Sequence, residues 1–420
     1  MKFACLIPLT ALITTSPIHT WAQDQPSDDE DSYAVYGEAG VLQDYRNRDT
    51  KLGHIPLGAF GDAMDRYFAF KEKLSTTYGF NYIIEYSPQY QWDFEGDAGT
   101  TANDETNLIV QWALVDPQDA KKGNLLAWYQ ISRTLGSDTT SEFMQDLGVI
   151  SPVNGGDTGL DNTATRLQHL TWEQWFANER FRVMAGKMTT RVLMNLNRYA
   201  TSDREDFFTP MLVNNPVVHY TARIGLGLFG QYHQDDWYLS AMIRDASATK
   251  DGVDFDSVSD GDWEYLTEFA LTPDNLGGFG EGIYRITYSY TDQVGEGAFS
   301  QPAGWTVSLS FDQDIGEKYG AAIRYAYADE DFRAFQQRLA LGLQIKKPLG
   351  FENDRIGFGF WWGEPSNRDL NDEYGLEAFW KIQVARFLEL SADVQTIFDP
   401  ANRPDKDAVF VGGLRFRVVF

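Results

Sequence analysis

Cysteine is nearly absent from this chain of 420 residues; the single one, Cys5, lies in the first apolar stretch. No disulfide framework and no cysteine metal site is available to hold the fold. Histidine is scarce too: after residue 19 only His54, His169, His219 and His233 occur, and neither HExxH nor GxSxG is present. The residue patterns of a zinc protease or a serine hydrolase are therefore missing. Beyond the N-terminal stretch there is no apolar run of about 18 residues, the length a membrane helix requires. Positive charge is in deficit, with 35 Lys and Arg against 61 Asp and Glu and a formal net charge of -26. Nucleic acid, whose phosphates need a basic surface, is not an expected partner.

The chain begins with MKFACLIPLTALITTSPIHTWAQ, a Lys2 start, an apolar run and a small-residue ending at Ala22. This is the layout of a secretory signal peptide, expected to span residues 1–22. Residues 23–73 form an acidic N-terminal segment that opens with QDQPSDDEDS. From Leu57 to Leu74 its apolar residues recur at spacings of three and four, which predicts a short amphipathic periplasmic helix. That helix either caps the periplasmic mouth of the C-terminal region or simply links to its first strand.

Residues 74–420 read as strands. Sixteen segments alternate apolar with polar residues: Leu74–Tyr86, Thr106–Val115, Asn124–Thr134, Arg166–Phe176, Arg180–Met188, His219–Gln231, Trp237–Asp245, Trp263–Leu271, Gly282–Thr291, Gly304–Asp312, Lys318–Ala328, Gln336–Lys346, Asp354–Trp362, Tyr374–Gln383, Arg386–Thr396 and Ala408–Phe420. Each is close to the ~9–11 residues of a tilted membrane strand. Alternation alone also fits a soluble β sandwich. Length leaves either several domains or one architecture that does not depend on a globular core, because a single core rarely grows past about 250–300 residues; a large barrel is such an architecture. Aromatics make up 15% of the chain, the signature of lipid-facing bands and girdles when every second residue is polar.

The expected fold is therefore an all-β, 16-stranded antiparallel transmembrane barrel of porin type, with long external loops and short periplasmic turns. The first three external loops fall at Ser87–Glu105, Leu135–Thr165 and Thr189–Val218, while links such as Ala177–Glu179 are brief. The turn Thr272–Glu281 is the one exception, being longer than an external loop near residue 330. An even strand count returns the chain to the periplasm, and Phe420 fits the terminal aromatic that outer-membrane assembly machinery reads. A charge facing lipid at the bilayer midplane costs ~2–4 kcal/mol. Parity accordingly places Arg285, Arg324, Arg338, Lys381, Asp393, Arg415 and Arg417 in the lumen.

Two stretches, LTWEQWFANERFRVMAGKM (170–188) and RYATSDREDFFTPMLVNNP (198–216), together with the ending FDPANRPDKDAVFVGGLRFRVVF, resemble the carbohydrate-selective porin family of OprB type. The resemblance implies a Gram-negative outer-membrane channel through which monosaccharides such as glucose diffuse inward, without catalysis and without a cofactor. Expected partners are small carbohydrates, outer-membrane lipid and lipopolysaccharide; a monomer and a homotrimer fit the sequence equally. A general diffusion porin is the competing reading, since it shares the fold and lacks only the preference.

A barrel of this size holds an aqueous channel that must be narrowed before it selects. The third loop, rich in large apolar side chains and in charge, is expected to fold inward. Its Arg198, Arg204, Glu205 and Asp206, facing the wall residues Arg285, Arg324 and Arg415, make up the candidate constriction. The acidic run DGVDFDSVSDGDWE (251–264) departs from calcium-loop spacing and reads as a solvated loop. NLGGFGEG (275–282) lacks a following GKS or GKT and reads as a turn.

Overall fold

The computed structural model describes residues 53–55, 59–156, 162–215, 217, 224–295, 301–330 and 332–420. The expected signal peptide and residues 23–52 of the acidic segment after it lie outside the described residues. One helix, α1 (Ala59–Tyr78), leads into sixteen strands. They are β1 (Phe80–Asp93), β2 (Thr100–Ala113), β3 (Asn124–Thr134), β4 (Thr163–Phe176), β5 (Phe181–Met188), β6 (Gly225–His233), β7 (Trp237–Asp245) and β8 (Trp263–Leu271). The second half comprises β9 (Gly282–Thr291), β10 (Gly304–Ile315), β11 (Tyr319–Ala328), β12 (Phe335–Lys346), β13 (Arg355–Pro365), β14 (Glu373–Ala385), β15 (Leu388–Phe398) and β16 (Ala408–Val419). Each strand pairs antiparallel with its sequence neighbours, and β1 pairs with β16 to close the barrel. Closure removes every free sheet edge. At the seam, Ile84 and Phe420 exchange both backbone hydrogen bonds, at 2.9 and 2.8 Å.

The two faces of the wall differ as the alternation requires. Outside, Leu108, Leu228, Ile286, Ile323, Leu376 and Val394 form an exposed apolar band. Aromatic pairs border it at both ends: Tyr90 with Trp92 and Trp305 with Tyr327 near the external loops, Phe80 with Trp112 and Tyr284 with Phe311 near the turns. This is the girdled profile of a lipid-facing barrel. Inside, all seven charged residues assigned to the lumen by parity are buried.

Two expectations about the first strand are corrected. The helix runs on to Tyr78, because Leu74 still falls at helical spacing from Phe70. It stops at Gly79, whose φ of +62° favours glycine and where a Cβ would lie 2.8 Å from the Ala113 Cβ. The segment Ser87–Glu105 is not a long external loop either. Gln89, Gln91 and Asp93 continue the inward row and Tyr90 and Trp92 the outward one, so β1 and β2 extend until residues 94–99 alone connect them. Pro88, which has no N–H to donate, is accommodated where the β1–β16 pairing skips Ser87 and Pro88.

The chain between β5 and β6 leaves the wall and turns into the barrel. The fourth external loop covers the gap this leaves: Leu167 N donates to Lys250 O (3.0 Å), and Lys187 Nζ donates to Thr249 O (2.6 Å).

Candidate permeation constriction

The third loop crosses the lumen on three sets of anchors. Descending from β5, Leu193 and Met194 pack into an apolar patch built by inward-facing Met184, Phe229, Met242 and Leu266. Asn195 comes next; its N–H donates to Glu268 (2.6 Å) and its amide to Thr287 (3.0 Å) and Ser308 (2.9 Å). Arg198 then reaches the periplasmic ends of β9 and β10, binding Asp312 (2.5 Å), Asp314 (3.1 Å) and the Glu281 carbonyl (3.0 Å). The chain next crosses to β16, β1 and β2. Arg204 donates to Glu105 (2.7 Å) and Gln89 (3.2 Å), Glu205 pairs with Arg417 (3.1 Å), and Gln344 donates to Asp206 (2.8 Å). It returns along β11 to β14, where Glu377 accepts from the N–H groups of Phe208 and Thr209.

The wall supplies charges that suit loop backbone as well as loop side chains. Arg415 donates to the carbonyls of Asp203 (2.7 Å) and Asp206 (2.9 Å). Arg324 donates to those of Asn195 (3.1 Å) and Val213, and Arg338 to that of Asn214 (2.6 Å). A loop removed from water must have its backbone groups satisfied; here wall arginines take the carbonyls and wall glutamates the amides. Shape is matched too. Gly359 on β13 lies under Leu212, where a Cβ would approach the Leu212 Cδ1 to 2.3 Å, and Gly320 on β11 lies under the Tyr199 ring at 2.2 Å. The returning arm is pressed against bare backbone.

The expected site residues therefore fall into two groups joined by the loop. Arg198 and Arg285 share Asp312, with Arg285 also donating to Tyr238 (3.0 Å). Arg204, Glu205, Asp206 and Arg415 come together on the opposite side, and Arg324 stands between, under the returning arm. Arg204, Arg285, Arg324 and Arg415 are buried, whereas Arg198 and Glu205 keep about a fifth of their side chains exposed, 21% and 19%.

Five residues at the passage, beside Arg324, were not among the expected site residues. Arg191, Asn195, Thr201, Asn214, Asn215 and Arg324 contribute to a small cleft beside the loop, with free volume of about 10 Å³, room for about one water. Arg191 is held by Asp203 (3.3 Å) and Asn214 (3.4 Å). Burial would raise the Asp203 carboxyl, but Arg204, Arg191 and Arg415 around it hold it below the ordinary carboxylate range. The Tyr199 hydroxyl moves up, driven by burial and by the neighbouring Asp314.

The second loop also turns inward, which its sequence did not announce. Its helix α2 (Thr140–Leu147) starts at a capping box formed by Thr139 and Glu142 and ends at Gly148 in the left-handed region. The chain after Gly148 lies in the mouth. Glu373 accepts from the N–H groups of Ile150 and Ser151 (both 2.9 Å), Gln395 donates to Val153 O (3.0 Å), and Thr209 of the third loop donates to Pro152 O. Two loops thus narrow one lumen and brace each other.

Comparison with known proteins agrees with this architecture. The model of the family described as "Carbohydrate-selective porin, OprB family" matches residues 123–420. Among curated proteins, Porin AaxA of Chlamydia felis is 22% identical over 353 residues, covering 79% of this chain and 76% of that protein. Porin AaxA of Chlamydia pneumoniae is 25% identical and covers 72% and 69%. Among solved structures, the high-pH form of Pseudomonas putida OprB superimposes with a TM-score of 0.70 at 15% identity, over 88% of this chain and 99% of that one. Its low-pH form gives a TM-score of 0.52 at the same identity. At these identities the structural likeness speaks for the fold.

Proposed function

The chain belongs to the carbohydrate-selective porin family of OprB type, and from that premise we propose that it is an outer-membrane channel for facilitated diffusion of small carbohydrates, monosaccharides such as glucose among them, without a catalytic step. The observation that carries this reading is the third loop, fixed across the lumen with Arg191, Arg198, Thr201, Glu205 and Asn214 left partly open to the passage. Sugar hydroxyls are well matched by charge-assisted hydrogen bonds from arginine and carboxylate. Weak, successive contacts favour flux, because a tightly held solute does not leave.

Within this reading the candidate residues divide their work. Arg198 and Glu205 meet solute. Arg204, Asp206, Arg285, Arg324 and Arg415 are positioning residues that keep the loop where it narrows the channel. A general diffusion porin would have the same wall and loop and no preference. Liposome swelling with the purified, folded protein separates the two: glucose is set against an uncharged non-sugar solute of similar size. Faster entry of glucose, with glucose also blocking ion current, is the expected result. Equal entry and no block would reduce the protein to a general pore.

A further inference from the structure

Helix α1 is amphipathic, with one wide apolar face made of two adjoining sectors. The first holds Met64 and Phe68, which are buried with Phe387 and Ala385 at the β14–β15 turn, alongside Leu388, Val418 and Phe420. Leu388, Val418 and Phe420 face outward by strand parity, as does Tyr82, whose ring lies 5.4 Å from Lys71 Nζ. Tyr67 meets the Phe420 ring edge-on at 6.3 Å, and Arg386 pairs with Asp65 (2.9 Å). The helix therefore lies against the outer side of the periplasmic rim. It does not span the mouth, one of the two placements its sequence allowed.

The second sector meets the barrel at Phe60, edge-on to the Phe387 ring at 5.5 Å, and at Tyr67, and is otherwise left uncovered by the described residues. Phe60, Ala63, Tyr67, Phe70, Leu74 and Tyr78 recur at steps of three and four residues and so share one stripe. Phe60, Phe70 and Tyr78 are 54%, 52% and 58% exposed. Asp62, Asp65, Arg66, Glu72 and Lys73 occupy the remaining arc. At its C-terminal end the stripe runs into Phe80, which pairs with Trp112 in the periplasmic girdle. An apolar stripe continuous with a lipid-facing girdle, on a helix packed against outward-facing residues, matches an interfacial helix lying in the headgroup and upper acyl region.

We propose that α1 is a membrane-surface anchor whose Phe60–Phe70–Tyr78 stripe rests in the phospholipid of the periplasmic leaflet. The anchor fixes the first strand and the closing strand to one depth, since both end beneath it. A protein partner or a second copy of the chain on this stripe is the competing occupant. Continuity with the girdle favours lipid.

Site-directed nitroxide labelling tests it in the full-length protein reconstituted in phosphatidylethanolamine–phosphatidylglycerol vesicles. Cys5 is the chain's only cysteine, so a Cys5→Ser background carrying Phe70→Cys or Glu72→Cys takes a single label. The expected result is a ratio of oxygen to aqueous nickel-chelate collisions several-fold higher at position 70 than at position 72. Equal nickel access at the two positions would place the stripe in water and overturn the proposal. A label at position 70 shielded from both reagents would put protein on the stripe, and dipolar broadening would identify that protein as a second copy; either overturns it. Both substituted side chains are exposed, so folding is not at stake, and the readout is independent of which solute the channel prefers.

Discussion

Strands β5 to β8 meet the third loop with large apolar side chains, Met184, Phe229, Met242 and Leu266 around Leu193 and Met194. Strands β11 to β14 meet the same loop with small residues, among them Ala322, Ala340, Gly342 and Gly359, beneath Tyr199, Phe207 and Leu212. On the first wall the barrel fills its own interior and the loop adds two side chains. On the second the wall recedes beneath those three side chains, which share the space with the wall's own Phe335, Trp361 and Phe379. The charges respect this division in part: Arg324, Arg338 and Glu377 hold loop backbone on the receding side. The difference teaches which wall sets the aperture. Changes on β11 to β14 should move the loop, whereas changes on β5 to β8 should weaken packing and leave the passage alone.

The largest expected effect is a test of the loop itself. Deleting Arg198–Met211 removes the crossing and most of the returning arm, and single-channel conductance in planar bilayers should rise several-fold. Unchanged conductance would mean that the loop does not set the aperture, and the contrast between the walls would have no bearing on the passage.

A paired substitution sharpens the contrast next. Gly359→Leu puts a side chain where Leu212 already lies, with even the Cβ only 2.3 Å from it. Overpacking of this kind costs about 1–3 kcal/mol. Moving a loop relieves it more easily than moving a closed wall does, so conductance should increase, though less than on deletion. Met242→Ala on the opposite wall should cost about 2–5 kcal/mol of barrel stability, read by the urea midpoint of refolding, with conductance near that of the parent. A conductance change with Met242→Ala and none with Gly359→Leu would reverse the assignment of the walls.

How much of this was legible beforehand depends on which solvent each residue answers to. The outer face was readable because lipid imposes strict alternation: β3 (Asn124–Thr134), β7 (Trp237–Asp245), β8 (Trp263–Leu271) and β9 (Gly282–Thr291) have the bounds their sequence suggested. Alternation failed where two patterns overlapped. LSTTYGF at residues 74–80 suits both the helical and the strand period. The inner face was legible only as polarity. That the third loop folds inward could be argued from its apolar content, but the partners of Arg198 and Arg204 are set by residues about a hundred positions away, as with Arg204 and Glu105. The sockets were harder still, since a glycine such as Gly359 reads as weakened strand until the Leu212 that presses on it is known.

A smaller effect comes from single anchors on the second wall and beside it. Arg415→Met removes donors from the carbonyls of Asp203 and Asp206 and leaves them buried, a loss of about 1–3 kcal/mol per unsatisfied group. The expected readout is a noisier open channel with a modestly higher mean current, because the loop stays seated on Arg204, Glu377 and the glycine sockets. Arg324→Met should behave likewise through Asn195 and Val213. A silent channel in both variants would show that packing, without the charges, is enough to seat the loop.

The smallest effect is one of pH, and its sign is set by Asp203. Arg204, Arg191 and Arg415 hold this carboxyl below its ordinary value of 3.8 despite its burial. A group whose folded pKa is depressed stabilises the seated loop at every pH above its unfolded value, and that contribution is lost as pH falls through the folded one. Between pH 7 and 5 the current should therefore be insensitive to Asp203. Below about pH 4, near the unfolded aspartate value, the seated loop should loosen and the current become noisier. Asp203→Asn should show the looser behaviour at neutral pH and no further change on acidification that is traceable to this site. An acid response of the same size in parent and variant would assign it to other carboxylates and remove Asp203 from the seat, leaving its three arginines to be explained by their other partners: Asn214 for Arg191, Glu105 and Gln89 for Arg204, and the loop carbonyls for Arg415.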